Sequence, residues 1–247
     1  MGKVIAVASG KGGTGKTTTV AAVASCLAAL EHKTLCVDFD SEMKNLDLSL
    51  CMSDYTVTDY LDVINNQLDI MEACHESPLI PSLFFLAAPM MCSPDDLDIL
   101  ALKAMFNDIR DKFDYCLIDS PSGIGAGFRL VHSVADMSII VTTGELPAMR
   151  DAQLTASAAR ESGVCDVRLV VNRLLPKNLK FMRATIDDVI DTVRAQLIGV
   201  IPEDASVFKA LHENTPLVLY KKRLSAYEFL DVARRIVGEE VPLRLRR

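Results

Sequence analysis

The sequence predicts an α/β fold with one doubly wound, mostly parallel sheet flanked by helices. Short apolar runs typical of strands alternate with longer segments of helical periodicity along the whole chain, as in parallel sheets with helical crossovers. The chain contains no internal repeat, low-complexity tract or Pro/Ser-rich linker. We therefore expect residues 1–247 to form a single domain, in which residues 241–247 are a short basic tail.

Composition narrows the class of protein. Half of the 247 residues are hydrophobic, enough for a substantial core, and the net charge of −7 argues against broad, non-specific binding of nucleic acid. No apolar run approaches the ~20 residues of a membrane span, and the first strand begins too early to leave room for a signal peptide. The seven cysteines show no CxxC spacing, which disfavours zinc or iron–sulfur ligation. We expect a cytoplasmic protein.

The first elements form a strand, a glycine-rich loop and a helix. An apolar strand over residues 4–8 leads into Gly10-Lys11-Gly12-Gly13-Thr14-Gly15-Lys16-Thr17, and a helix is expected over residues 18–30. The glycines allow backbone N–H groups to approach phosphate oxygens, and the helix N-terminus favours anions. Lys16 can reach the β- and γ-phosphates, and the Thr17 hydroxyl can ligate Mg²⁺. The stretch therefore predicts a nucleoside triphosphate site.

Three carboxylates follow strand-like runs. Asp38 and Asp40 end the second strand, residues 34–40, and Asp119 ends an apolar run over residues 115–119. Because the carboxyl ends of parallel strands meet at one edge of the sheet, these acids are expected beside the phosphate loop. An acid in the position of Asp119 can hold a Mg²⁺-bound water.

The other elements follow from periodicity and capping signals. Further strands are expected over residues 83–89, 137–143, 168–173 and 197–201. Helices are expected over residues 58–64, 68–74, 94–112, 147–161, 205–213 and 225–237. Thr58 or Asp59 would cap the first of these helices, and Ser93 the one that begins at Pro94. Glycines 123, 125 and 127 predict a flexible loop after Asp119.

Lys11 makes the loop more specific, because an ordinary phosphate loop does not require a lysine after its first glycine. Residues 11–18 resemble the deviant Walker A motif of the MinD/ParA family of P-loop ATPases, and the resemblance extends from Lys3 to about Pro242. It implies ATP and Mg²⁺ as cofactors. The catalytic residues it implies are Lys11, Lys16 and Asp40. In that family the first lysine reaches across a dimer to the phosphates, and the matching aspartate orients the attacking water.

The resemblance also implies the remaining contacts. Asn172 would hydrogen-bond the adenine edge, and the turn at residues 202–204 would pack beside the base. The nucleotide-binding residues it implies are Gly12, Gly13, Thr14, Gly15, Lys16, Thr17, Thr18, Asn172, Pro202, Glu203 and Asp204. The metal would be held by Thr17, Asp38 and Asp119. Asp151 is a hypothetical resting partner of Lys11, with a solvated helix acid as the alternative.

The function implied by the resemblance is division-site placement by an ATPase switch that dimerises on ATP and turns over slowly without an activator. The implied partners are a second copy of the chain, a MinC-like inhibitor and a MinE-like or other activator. Two roles within the same family stay open. One is a ParA-type ATPase for DNA or plasmid segregation, with residues 221–223, Arg234 and Arg235 as its basic surface. The other is a regulator of flagellar number.

The C-terminal tail differs from the basic amphipathic helix with which such division-site ATPases usually finish. Residues 243–246 alternate Leu and Arg, and Pro242 also disfavours a helix. Three arginines near an anionic surface contribute only about 1 kcal/mol each. Either the chain has lost its membrane segment or a partner supplies it. We expect weak or partner-mediated association with the cytoplasmic face of the cell membrane.

Overall fold

The computed structural model describes residues 1–41, 43–90, 92–175, 185–220 and 224–243, and in this part of the chain eight strands form one sheet. The strands are β1 (Lys3–Ala8), β2 (Thr34–Asp38), β3 (His75–Glu76), β4 (Leu83–Leu86), β5 (Tyr115–Asp119), β6 (Met137–Thr142), β7 (Asp166–Leu174) and β8 (Gln196–Pro202). Their order is β3-β4-β2-β5-β1-β6-β7-β8, and every pair is parallel except β3 with β4. The predicted fold class is confirmed.

Helices connect the strands and cover both faces of the sheet. They are α1 (Lys16–Ala29), α2 (Leu46–Leu50), α3 (Tyr60–Ile64), α4 (Ile70–Ala73), α5 (Ile99–Lys112), α6 (Ala126–His132), α7 (Leu146–Glu161), α8 (Ile186–Val193), α9 (Ala205–His212) and α10 (Leu224–Ile236). Among the residues that the structure describes, 3-10 turns lie at Pro94–Asp96 and Leu217–Leu219. None of the helices in the described residues is both long and apolar enough to cross a membrane.

The central strand β1 is buried on both faces. Ile5 and Val7 belong to a core cluster with residues of α1 and α10, whereas Val4 and Ala6 belong to a second cluster with residues of α5. Side chains of a strand alternate between the two faces, so a strand covered on both sides must be apolar throughout. This explains why the strands read as continuous apolar runs.

The strand ends bring the predicted acids to one place. Val7 of β1 and Asp38 of β2 are both register partners of Asp119 in β5. The loop that follows β1 therefore starts beside the end of β5 at Asp119 and one strand away from the end of β2 at Asp38. This arrangement follows from parallel pairing, because adjacent parallel strands present their carboxyl ends at the same edge.

The helix predicted over residues 94–112 begins later than expected. Residues 94–96 form a 3-10 turn, and α5 begins at Ile99. Asp98 is extended, and its carboxylate accepts a hydrogen bond from Leu100 N at 2.8 Å. Asp98 therefore caps the helix, and the prediction of Ser93 as its cap was wrong. At α3 the cap is Asp59, one of the two residues predicted for that position, and it forms a full capping box.

The glycine-rich segment after Asp119 is not a loop throughout. Gly127 lies inside α6, where a Cβ would come within 2.9 Å of Pro121 Cγ. Close packing, rather than freedom of the backbone, is therefore what Gly127 supplies, and the prediction of a loop over all three glycines was wrong for this residue. The predicted basic cluster at residues 221–223 and the last residues of the tail, 244–247, lie outside the described residues.

Candidate functional site

The backbone of the loop between β1 and α1, residues 9–15, uses the conformational freedom of glycine at two positions. Gly13 and Gly15 have φ of +80° and +89°, a left-handed conformation that residues with a Cβ rarely adopt. A Cβ on Gly15 would also clash with the side-chain amide of Asn172, whereas nothing lies within 4 Å of one on Gly12. The loop is therefore tightly packed against β7 at Gly15 and open at Gly12.

The loop leads directly into the N-terminus of α1, which has no side-chain cap. The first N–H groups of a helix lack partners within the helix, so an uncapped N-terminus is suited to an anion. Thr14 is buried, and its Oγ1 has no hydrogen-bond partner among the described residues. Thr18 lies half-buried in the first turn of α1. These groups fit a ligand that supplies several anionic oxygens, such as a phosphate chain.

Lys16 is the buried cation of the site, with only 6% of the residue exposed. Its Nζ lies 2.5 Å from Asp119 Oδ1 and 3.7 Å from Asp40 Oδ2. Thr17 Oγ1 donates to the other oxygen of the same carboxylate, Asp119 Oδ2, at 2.7 Å. Burial raises the pKa of Asp119, and the neighbouring Lys16 and Thr17 act in the opposite direction. The predicted lysine, hydroxyl and carboxylates thus converge.

Asp38 shapes the turn that follows β2. Its Oδ1 accepts from Asp40 N at 2.9 Å, and its Oδ2 accepts from Leu46 N at 3.4 Å. Burial, with Asp119 nearby, raises the pKa of Asp38 to about 7. Asp40 in turn accepts from Met43 N at 3.2 Å through Oδ1. Asp38 therefore fixes the backbone on which Asp40 stands.

The same oxygens suit a magnesium ion. Mg²⁺ prefers oxygen ligands and is usually bound through one or two carboxylates, phosphate oxygens and several waters. Thr17 Oγ1 and the carboxylates of Asp38 and Asp119 are oxygen donors at the same edge of the sheet. The donor set therefore fits Mg²⁺ beside a phosphate chain.

Lys11 is exposed and contributes to an open cavity of about 420 Å³. The cavity is lined by Lys11, Gly12, Gly13, Thr14, Thr143, Gly144, Glu145, Ala148, Arg173, Leu174, Leu175 and Glu203. Asp151 packs against the loop, since its Cβ would lie 2.7 Å from a Cβ on Gly10. Within the described ranges no ion pair joins Asp151 to Lys11. The hypothetical resting pair is not formed in this structure.

The end of β7 contacts the loop through two consecutive side chains. Asn172 Nδ2 donates to Thr14 O at 2.9 Å, and Arg173 Nη1 donates to Gly13 O at 3.0 Å. Arg173 Nε also donates to Glu203 Oε2 at 2.8 Å. Residue 173 was not among the predicted site residues. The only signal in the sequence was its position beside Asn172 at a strand end.

The turn after β8 is held by its own hydrogen bonds. Pro202 is the last residue of β8, and Glu203 N donates to Leu174 O at 2.9 Å. Asp204 caps α9 through Ser206 N and accepts from both the backbone N and the hydroxyl of Ser225. Burial would raise the pKa of Asp204, but these hydrogen bonds outweigh it and hold the pKa below its usual value. The carboxylate thus joins the starts of α9 and α10.

Comparisons with known proteins point to one group. A family model described as an AAA domain matches residues 2–161. Septum site-determining protein MinD of Synechocystis sp. is 34% identical over 244 residues, covering 98% of this chain and 92% of that protein. The MinC:MinD cell division protein complex of Aquifex aeolicus matches with a TM-score of 0.91 and 32% identity over 98% of each chain. MinD complexed with Mg-ADP from Pyrococcus horikoshii matches with a TM-score of 0.82 and 26% identity, over 96% of this chain and 97% of that one.

Proposed function

This chain belongs to the septum site-determining MinD family of ATPases, and from that premise we propose that ATP binding drives two copies of it together. It is an ATPase that acts in division-site placement. We take residues 1–247 as one ATPase domain. The observation that carries the proposed nucleotide site is the contact of Lys16 and Thr17 with the single carboxylate of Asp119 beside an uncapped helix N-terminus.

The phosphate chain of ATP is proposed to lie along the loop. The N–H groups of Gly12, Gly13, Thr14 and Gly15 and of the first turn of α1, including Thr17 and Thr18, would surround its oxygens, and Lys16 would neutralise their charge. Bound Mg²⁺ would supply positive charge that offsets the charge developing on the phosphate oxygens. Thr17, Asp38 and Asp119 would hold it.

Asp40 is the proposed orienting group for the attacking water. Its carboxylate lies 3.7 Å from Lys16 Nζ, which brings it to the phosphate side of the site, and it is buried and fixed by Met43 N. A carboxylate can accept a proton or a hydrogen bond from water at that position. Removing Asp40 would therefore slow hydrolysis more than it weakens nucleotide binding.

The base is proposed to lie between Asn172 and the turn at residues 202–204. Asn172 has an amide that can both donate and accept, as the adenine edge requires. Pro202 would offer an apolar surface, while Glu203 and Asp204 hold the turn in place.

Lys11 is proposed to act across a dimer. It is exposed on the open side of the loop, where it can reach the phosphates held by a second copy. The Aquifex complex supports a MinC-like inhibitor as a partner. A cation supplied across an interface raises the rate of related NTPases about 10³–10⁵-fold, so turnover should be slow until a partner completes the site. The further partner we propose for this chain is therefore a MinE-like or other activator. Weak or partner-mediated membrane association completes the proposal.

The test measures oligomeric state by size exclusion with light scattering. Asp40→Ala, which slows hydrolysis, should be dimeric in ATP with Mg²⁺ and monomeric in ADP. Adding Lys11→Ala should keep the protein monomeric in ATP while it still binds a fluorescent ATP analogue. Lys103→Ala removes an exposed lysine of α5 and is the matched control, which should still dimerise. Dimerisation that is independent of ATP or of Lys11 would overturn the proposal.

A further inference from the structure

β7 is irregular where it meets the phosphate loop. The register of its pairing with β8 shifts between Val171 and Leu174. Within this stretch Arg173 has φ +57°, a left-handed conformation that is uncommon for any residue with a large side chain. Bulges of this kind redirect side chains and are frequent beside functional sites. Here the side chains of Asn172 and Arg173 both reach the loop.

These two side chains bind two successive carbonyls. Arg173 Nη1 donates to Gly13 O, and Asn172 Nδ2 donates to Thr14 O. In a trans peptide the N–H points away from the preceding C=O, and the described part of the chain contains no cis peptide. When β7 holds the carbonyls of Gly13 and Thr14, the N–H groups of Thr14 and Gly15 must therefore face away from β7.

Those two N–H groups are suited to an anion. Neither donates to a backbone or side-chain acceptor within the described ranges, and both lie directly before the uncapped start of α1. Successive N–H groups that point to one side form the concave anion sites typical of phosphate loops. The direction of these groups is thus set from outside the loop, by the end of β7.

Arg173 is itself held in place. Its Nε donates to Glu203 Oε2 at 2.8 Å, and Glu203 N is bonded to Leu174 O. The side chain is 53% exposed, so the ion pair with Glu203 is worth little as a source of stability. Its geometric effect is larger, because it keeps the planar guanidinium directed at Gly13 O.

We propose that Arg173 is a positioning residue of the phosphate loop, which together with Asn172 fixes the peptide planes whose N–H groups bind the triphosphate. The inference rests on the proposed nucleotide site and deepens it. This role of Arg173 differs from a contact with the base, because a positioning residue affects binding of the phosphate chain whatever base is attached. Loss of Arg173 should weaken the binding of ATP, GTP and inorganic tripolyphosphate by the same factor.

The experiment measures competition against a fluorescent ATP analogue in Mg²⁺, with ATP, GTP and tripolyphosphate as competitors. Arg173→Met keeps the apolar stem and removes the donors. We expect the affinity for each of the three competitors to fall by about tenfold, the usual scale for a lost hydrogen bond from a charged donor. Arg173→Gly should give the same result. Its backbone adopts φ +57° without strain, so it guards against misfolding of the first variant.

Arg234→Met is the matched control. Arg234 Nε binds Glu239 Oε2 at 2.7 Å, and these side chains are 42% and 43% exposed, close to the 53% and 40% of the Arg173–Glu203 pair. It lies in the last turn of α10, and its neighbour Arg235 contacts Ile198 O, early in β8 and away from the site. Binding should be unchanged in this variant.

Two outcomes would overturn the inference while leaving the nucleotide site standing. In the first, Arg173→Met weakens the binding of ATP but not of tripolyphosphate, or changes the ratio of the affinities for ATP and GTP. Either result would assign Arg173 to contact with the base. In the second, Arg173→Met binds all three competitors as tightly as the unaltered protein does. Failure of the unaltered protein to bind the ATP analogue would instead overturn the proposed nucleotide site, and this inference with it.

Discussion

Lys16 Nζ lies 2.5 Å from Asp119 Oδ1, and the two residues are 103 positions apart in the sequence. Both are buried, with 6% and 1% of their side chains exposed. Removing one partner of a buried ion pair leaves the other charge without compensation, which costs more than removing both. This pair therefore links the stability of the fold to the chemistry of the site.

Lys16→Met should destabilise the protein by about 3 kcal/mol in urea unfolding, because Asp119 is left as a buried acid without its cation. The double variant Lys16→Met with Asp119→Asn should regain most of that loss, since the amide carries no charge. Neither variant should hydrolyse ATP. Additive effects of the two substitutions on the free energy of unfolding would contradict a direct pairing.

Gly15→Ala should weaken nucleotide binding by about tenfold or more. The added Cβ would meet the amide of Asn172, and an alanine at this position would have to adopt φ +89°. The loop would therefore have to move away from β7. Gly163→Ala is the control, because Gly163 has φ +98° but nothing within 4 Å of the new Cβ. It should cost about 1 kcal/mol of stability and leave binding of the fluorescent ATP analogue intact.

His132 should make the fold less stable in mild acid. Its Nδ1 lies 2.8 Å from Phe128 O, which can only accept, so Nδ1 donates and Nε2 accepts from Ser138 Oγ at 2.9 Å. Burial lowers the pKa of His132 from 6.5 to about 4. Between these values the unfolded chain binds a proton that the folded chain does not. Stability is therefore complete above pH 6.5 and is lost as the pH falls toward 4.

The measurement is the free energy of unfolding between pH 4.5 and 7 for the unaltered protein and His132→Gln. The variant should lose up to about 1.4 kcal/mol less per pH unit within this window, the value for one proton. Equal slopes for the two proteins would show that His132 does not stay neutral in the folded state.

Asp204→Ala should destabilise the protein by about 2 kcal/mol, because its carboxylate accepts from Ser206 N and from two groups of Ser225. Asp188→Ala removes the N3 acid of the exposed capping box of α8 and should cost less, since water replaces its contacts. The thermal unfolding midpoints compare the two. A similar drop for both would place the cost in helix capping alone and not in the junction of α9 with α10.

Prediction from the sequence succeeded where the signal is local. The proposed phosphate loop is a continuous stretch, and the strands that carry Asp38 and Asp119 are short apolar runs whose carboxyl ends must meet in a parallel sheet. It was wrong about the start of α5, because this helix begins at Ile99 and is capped by Asp98, which accepts from Leu100 N. It was wrong about Gly127, because glycine supports close packing as well as flexibility.

The sequence by itself determined the fold class, the loop and the acids at the strand ends, since each depends on neighbours in the chain or on a general rule of parallel sheets. Only the tertiary structure decided that Asn172 and Arg173 bind the carbonyls of Thr14 and Gly13, which lie 158 and 160 positions away. These contacts arise from a register shift in β7 and one left-handed residue, and neither leaves a periodic signal in the sequence. Packing between distant segments, rather than local propensity, sets the direction of the groups that would bind phosphate.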